Sequence, residues 1–528
     1  MRHLARNWPR QLTGMGMRPP LFLTLLTLTI YLVWRGYDFA VSDQEEVVPY
    51  LLHLLDPTLF ANDWLVGIQT AQFGPRTLFV WMTWLPARLI GPEATFAILY
   101  CLSWWGTASA LYSLSLQLTR ERLAAAVAVL LALIFSPKFT LGGNDLVTWI
   151  LTPSVAAWPF ALWGLVFFVR GRMLQCAVCL GAATWMQALV GLQPALLLGL
   201  LLMWRRGIIN RRLWTLVGVY TACALPALGP LVWLQLTGNT PADGYSLFYV
   251  LAEFRAPHHY LFTSFTVISA LGFMLLLAVG LVYFSQLPEA HKPMVKRLLL
   301  LIAGLCLASL LLTEVWPVDF VMKLQLFKLT VIAKVLLIIC VANGAAALIL
   351  AAARHHVEAF FNHGHYVLGA TLLLVATLVL VSPDALGLRP GPVTGDSPAE
   401  EQIADWARTS TDKDALFAVL PQWAGFRSKS HRAIVVNFKA IPFHPPEMAE
   451  WFRRLLDVAP IDPPKRGGLA IMPVLDGGFL ALTDDEVHRL AERYDFQYIV
   501  RPHKEAPDGF EMVYAAGDLA VWAVVPRQ

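Results

Sequence analysis

The chain has 528 residues, 57% of them hydrophobic and only 14% charged, with a formal net charge of +4. Ordinary soluble domains are about 45–50% apolar and about 25% charged, so this composition excludes a disordered, collagen-like or ordinary cytosolic protein. Residues 1–382 hold 24 basic and 15 acidic side chains and residues 383–528 hold 16 and 21. No basic block carries interleaved aromatics, so no nucleic-acid partner is expected.

A helix crossing the hydrocarbon layer needs about 20 apolar residues. The first apolar run, 20–34, follows Arg2, Arg6, Arg10 and Arg18 and has the form of an uncleaved signal anchor. Further runs lie near 93–118, 123–136, 152–169, 173–188, 189–203, 213–236, 262–285, 298–314, 329–352 and 366–382. The stretch 78–90 is too short and contains Pro86 and Arg88, so it is read as an interfacial or re-entrant helix. The expected fold is therefore an α-helical polytopic membrane protein of about eleven spans, with twelve or thirteen also open. The transmembrane domain covers 1–382, a Pro/Gly-rich linker 383–398, and a C-terminal exported α/β domain 399–528. Within that domain 400–409 and 446–458 read as helices, and 415–420, 433–438, 498–500 and 519–525 as strands.

Eleven spans with a cytoplasmic N-terminus leave 16 Lys/Arg inside against seven in the external loops up to 328, as the positive-inside tendency requires. Twelve of the body's fifteen acids fall outside. That bias needs a second cause, because acids contribute little to topology. A site on the external face supplies one.

The first external loop, 35–76, contains Asp38, Asp43, Glu45, Glu46, Asp56 and Asp63 and ends at Arg76. After the run SDQEE, the pattern VVPYLLHLL reads as an amphipathic helix lying along the membrane, with Ser42 as its cap. A second segment, 137–153, turns at Gly142-Gly143-Asn144-Asp145. A third is the tip between two half-length helices, where Gln187 and Gln193 stand at a break; backbone freed at membrane depth must face protein or water. The fourth, 237–261, places Arg255, His258, His259 and Tyr260 just before a span. Neighbouring histidines do not share a regular helix face, so this pair suits phosphate or leaving-group contacts better than one metal ion. Lys323, Gln325 and Lys328 then enter another span, and ionisable groups there are functional candidates by default. For each of these the competing reading is plain solvation of a loop, or snorkelling lysines. All six cysteines lie in expected spans; Cys176-x-x-Cys179 reads as small core residues, and His355, His356, His363 and His365 as a solvated inner loop.

SDQEE and NDW in a long first loop, FRAPHHY before a span, LQLFK entering another and an exported α/β domain together resemble the GT-C superfamily of membrane glycosyltransferases. That superfamily includes aminoarabinose transferases and protein O-mannosyltransferases. The chain looks most like bacterial members with an RxPHHY loop, and DALFAVLPQWAGFRSKSHRAIVVNFKAIPF (414–443) resembles their post-membrane segment. The resemblance implies transfer of a sugar from a polyprenyl-phosphate donor to a glycan, lipid or protein acceptor on the outer face of a bacterial cytoplasmic membrane. It implies Asp43 as the first-loop acid, with Glu46 and Asp63 as seconds. A raised carboxyl pKa would suit that acid to proton abstraction. Arg255, His258, His259, Tyr260, Lys323, Lys328 and Arg76 would hold the lipid phosphate, and Asp145, Gln187 and Gln193 would face acceptor or cavity. Arg427, Arg432 and Lys439 are acceptor-side candidates in the tail. No DxD motif is present, so metal ligands are unassigned. No cofactor is assigned, and a divalent cation (Mg or Mn) stays open. A polymerase or ligase differs mainly in acceptor, a transporter would show internal repeats and charges near the midplane, and an assembly protein would not need the first-loop acids.

Overall fold

Ten of the eleven apolar runs fold as helices in the computed structural model, which describes residues 18–136, 139–237, 245–359, 396–503 and 508–525. The run 366–382, most of the linker, His363, His365 and the N-terminal arginines before Arg18 lie outside the described residues, as do the side chains of Arg18, His355 and His356. The helices are α1 (Arg18–Arg35), α2 (Val48–Leu55), α3 (Trp64–Ala71), α4 (Thr77–Ile90), α5 (Pro92–Thr119), α6 (Arg122–Ile134), α7 (Pro153–Val169), α8 (Met173–Met186), α9 (Ala188–Arg206) and α10 (Arg211–Thr237). They continue with α11 (Pro257–Tyr260), α12 (Val267–Phe284), α13 (Lys292–Leu310), α14 (Asp319–Leu324) and α15 (Thr330–Ala359).

Among the described residues six stretches, such as Pro92–Thr119 and Asp319–Ala351, are helical, long and apolar enough to cross a membrane. The α12 window has a mean hydropathy of 2.5 yet is only 6% buried. A helix apolar on every side and left uncovered by protein is stable only against lipid. The chain is thus a polytopic α-helical membrane protein. α12 is anchored to α15 by close seams: a Cβ at Gly280 would stand 2.8 Å from Leu337, and one at Gly344 2.1 Å from Tyr283. A side chain at either glycine would have to displace the Leu337 side chain or the Tyr283 ring.

Helix α4 occupies the stretch expected to be interfacial. At 14 residues it is about 21 Å long, short of the hydrocarbon thickness. Phe79, Val80 and Thr83 are buried while Trp81, Leu85 and Leu89 are exposed, a two-faced pattern suited to a membrane boundary. Helix α2 departs from expectation. Val48, Pro49, Tyr50 and Leu51 are buried, so it packs into the protein rather than along a surface. Ser42 does not cap it; Ser42–Glu46 forms its own 3₁₀ turn and α2 starts after Val47 with no side-chain cap.

The C-terminal domain holds α16 (Pro398–Ser410), β1 (Leu416–Ala418), α17 (Phe426–Ser430), β2 (Ala433–Ile434), α18 (Pro445–Val458), α19 (Met472–Ala481), α20 (Asp484–Tyr494), β3 (Tyr498–Pro502), β4 (Phe510–Ala516) and β5 (Leu519–Val524). The sheet order is β2-β1-β3-β5-β4. β2, β1 and β3 run parallel and β5 and β4 add antiparallel. The domain begins inside the expected linker: Ser397 accepts from the Glu400 amide while Glu400 accepts from the Ser397 amide, closing a capping box on α16. The expected strand 433–438 stops after two residues. Asn437 Oδ1 accepts from the Ala440 amide at 3.0 Å, turning the chain out of the sheet and toward the membrane domain.

The two domains share one hydrophobic core. Val250, Leu251, Phe254, Tyr260 and Met322 are buried together with Phe417, Phe438, Trp451 and Phe452. A π-helical turn, Tyr249–Arg255, carries the membrane-domain side of that core. Gly467 permits the closest approach, since a Cβ there would lie 2.5 Å from the Phe254 carbonyl oxygen.

Candidate functional site

The external segments named from the sequence meet at one end of the helical bundle, under the C-terminal domain. Gln44 Nε2 donates to the Leu151 carbonyl (3.0 Å), joining the first loop to the second. His259 Nδ1 lies 2.7 Å from the Gly142 carbonyl, joining the second to the fourth. Gln193 Nε2 donates to the Leu324 and Gln325 carbonyls (2.6 and 3.0 Å), and Gln325 Nε2 donates to the Tyr260 hydroxyl (2.7 Å). Gln325 adopts a left-handed φ of 47°, so Gln193 braces a strained corner. Both Gln193 and Gln325 therefore position the segment that leads to Lys328 rather than present themselves to a ligand.

Asp43 is at the centre. Its Oδ1 is 2.7 Å from Lys439 Nζ, an ion pair between the first loop and the C-terminal domain, and 55% of its side chain is still open. Burial by itself would raise this carboxyl, but Lys439, with Arg76 and Arg255 behind it, outweighs that and holds it well below the usual carboxylate range. This reverses the raised pKa expected from the sequence. Arg76 is paired to Glu46 (2.7 Å) and stacks on Phe443. Lys328 feels Arg76, Asp43 and Glu46 and has no direct hydrogen-bond partner among the described residues. Arg255 is buried at 8% exposure, lies 4.8 Å from the Phe438 ring centroid and donates from NH2 to the Lys439 carbonyl (2.5 Å), while its Nε has no partner. A buried guanidinium nitrogen left unpaired costs about 1–3 kcal/mol. An anionic oxygen is the kind of acceptor that satisfies such a donor most strongly.

The two histidines are brought side by side, with ring centroids 4.2 Å apart. Their separation on a regular helix does not apply, because α11 is a single turn and both rings pack over Gly143. Gly143 has φ +60°, a conformation L-residues seldom adopt. Burial, then the neighbouring Arg255, pushes His258 down to about 4, and burial, then His258, pushes His259 down to about 3. Both are neutral near pH 7. A carbonyl only accepts, so His259 carries its proton on Nδ1 and presents a bare Nε2 lone pair. Burial raises the Tyr260 hydroxyl to about 12.

Other expected site residues have structural duties. Asp63 caps α3, its Oδ1 accepting from the Leu65 and Val66 amides at 3.1 Å, while Oδ2 takes Arg427 Nε (2.7 Å) and the Ile434 amide (3.1 Å). Four donors fill this buried carboxylate, which docks the tail and does not join the Asp43 cluster. Gln187 caps α9 through the Val190 amide (2.7 Å). Asp145 acts electrostatically on buried Lys334, which donates to the Ser136 carbonyl (2.5 Å). Lys323 is taken up by Gln235. Of the tail candidates, Arg432 is spent on the Arg408 and Thr411 carbonyls (2.8 and 2.7 Å), Arg427 is the docking arginine, and Lys439 alone enters the site. Glu45 was hidden among its neighbours in the sequence. It is buried against Ser428, accepting from its amide (3.2 Å) and hydroxyl (2.6 Å), and burial lifts its carboxyl to about 8.

Among the described residues no group of three or more His, Cys, Asp and Glu could hold a metal ion. Asp43 and Glu46, the acids of the cluster, are each already paired with a cation.

Residues 398–458 match a family described as a domain of unknown function, DUF6798. No curated protein sequence matches the chain. Among solved structures, the crystal structure of ArnT from Cupriavidus metallidurans bound to undecaprenyl phosphate is similar at 15% identity and a TM-score of 0.46. That match covers 96% of this chain and 98% of the other.

Proposed function

We propose that the protein is a membrane glycosyltransferase of the GT-C type, moving a sugar from a polyprenyl-phosphate donor to an acceptor hydroxyl on the extracytoplasmic face of the bacterial cytoplasmic membrane. The observation that carries this reading is the charge pattern around Asp43. Four cations, Arg76, Arg255, Lys328 and Lys439, stand with two carboxylates, Asp43 and Glu46. The excess is two positive charges. A polyprenyl-phosphate sugar is a phosphodiester of charge −1, whereas the released phosphate monoester approaches −2 near pH 7. The cluster is therefore better matched to the leaving group than to the donor, and it favours the charge that develops as the glycosidic bond breaks.

In this reading Arg255 and Lys328 receive the phosphate oxygens, Arg255 through its free Nε. The acceptor oxygen attacks the anomeric carbon, the carbon–oxygen bond to phosphate breaks with its electron pair going to phosphate, and the acceptor proton passes to Asp43. His259 Nε2 can accept a hydrogen bond from a sugar hydroxyl. No step is assigned to a metal.

The test is transfer by the purified protein in proteoliposomes, given polyprenyl-phosphate sugars labelled in the sugar and a mixed acceptor lipid fraction. Labelled product with matching release of polyprenyl phosphate is expected. Uptake of free sugar into vesicles lacking any lipid-linked donor, with no transfer, would replace this reading with a transporter.

A further inference from the structure

The C-terminal domain has no evident reason to reach Asp43 if it serves only as a cap. Yet the irregular segment after β2 is built to deliver one lysine there. The Asn437 turn bends the chain, the Trp451 indole donates to the Asn437 carbonyl (3.0 Å), Phe438 lies under Arg255, and Arg255 grips the Lys439 carbonyl. With its backbone fixed on both sides, the Lys439 side chain spans the domain junction to Asp43, keeping 21% exposure.

Resting on the reading of this site as a polyprenyl-phosphate sugar transferase, we infer that Lys439 is an exchangeable cation supplied by the C-terminal domain. It neutralises Asp43 while the site is empty and moves to the lipid phosphate as that group gains charge. The exchange couples two events. While Lys439 holds Asp43, the carboxylate is a poor base. As Lys439 turns to phosphate, Asp43 loses its strongest stabilising charge and becomes basic when the acceptor proton must leave. Of the other groups facing Asp43, all but Lys328 are held or neutral. Arg76 is tied to Glu46, Arg255 to the Lys439 carbonyl, and His258 and His259 are neutral. Lys328, from the segment between α14 and α15, is directed to Asp43 and Glu46 by charge alone. Flexible, point-charged lysine suits a moving role better than arginine, whose planar fork binds in a fixed geometry.

The experiment compares wild type, Lys439→Met and Lys439→Arg in detergent, measuring equilibrium binding of a short-chain polyprenyl phosphate and the pH profile of sugar transfer. Lys439→Met is expected to bind the polyprenyl phosphate at least tenfold more weakly. It should also move the acidic limb of the transfer profile upward by one pH unit or more, because Asp43 has lost its partner. Lys439→Arg should restore the acidic limb and most of the affinity. If Lys439→Met binds the lipid phosphate and titrates like wild type, the lysine only docks the domain and the inference fails alone. If the wild type binds no polyprenyl phosphate and transfers no sugar, the functional reading fails and takes this inference with it.

Discussion

Arg427 Nε stands 2.7 Å from Asp63 Oδ2, and both side chains are at most 2% exposed. This pair, formed between residues 364 positions apart, fastens the C-terminal domain to the first loop. Removing one partner of a buried ion pair costs about 3–5 kcal/mol, because the other charge stays buried without compensation. Arg427→Met should lower the unfolding temperature of the detergent-solubilised protein and speed proteolysis near 383–398. An unchanged protease pattern would show that the apolar contacts around Phe254 and Phe452 suffice for docking.

Asp43→Asn keeps the shape of the side chain and removes its charge and basicity. General-base contributions of about 10²–10⁴ are typical, so sugar transfer should fall at least a hundredfold with normal protein abundance. Lipid-phosphate affinity should be kept or improved, since a negative charge has left an anion site. Wild-type transfer in this variant would remove Asp43 from the chemistry.

Arg255 combines a ring contact with Phe438, a bond to the Lys439 carbonyl and an unpaired Nε. Lysine cannot reproduce the fork or the stacking. Arg255→Lys is therefore expected to weaken binding of a short-chain polyprenyl phosphate roughly tenfold, the scale of one charge-assisted hydrogen bond. Equal affinities, measured by titration in detergent, would place the phosphate elsewhere.

His258 and His259 link stability to pH. In the unfolded chain each binds a proton below about 6.5, whereas in the folded protein protonation waits until about 4 for His258 and about 3 for His259. Between those values the unfolded chain holds more protons, so stability present above about 6.5 is lost as pH falls toward 4. The unfolding temperature should drop between pH 7 and pH 5, and less steeply in His258→Gln and His259→Gln. Parallel slopes in all three proteins would show that other groups govern the acid limb.

Composition and loop charge suffice to read the membrane body and the tail's class, and they mark Asp43, Arg76, Arg255 and Lys328 as charges that the structure gathers into one cluster. Those are rare charges in an apolar chain, and rarity is visible without coordinates. What could not be read is how a side chain spends its bonding capacity. Asp63 and Asp43 are alike in a string of letters, yet one is filled by four donors and the other faces open space. Lys439 stands out in the sequence only as an acceptor-side candidate, because its pairing with Asp43 comes from the Asn437 turn that breaks an otherwise convincing strand. Strand β4 and helix α19 are hard to read for a different reason: packing against the sheet and neighbouring helices imposes no simple period over so few residues. Helix α20 does carry a local signal, a capping box of Thr483 and Glu486 with Val487, Leu490 and Ala491 buried at helical spacing.

The pairing of Asp43 with Lys439 also sets an order of events. Synthesis runs from the N-terminus, so the acid-bearing loop is made hundreds of residues before the lysine that answers it. Until the C-terminal domain has folded and seated, Asp43 lacks Lys439 and Asp63 lacks Arg427. The charge cluster is therefore assembled late, by the docking of one domain on the other.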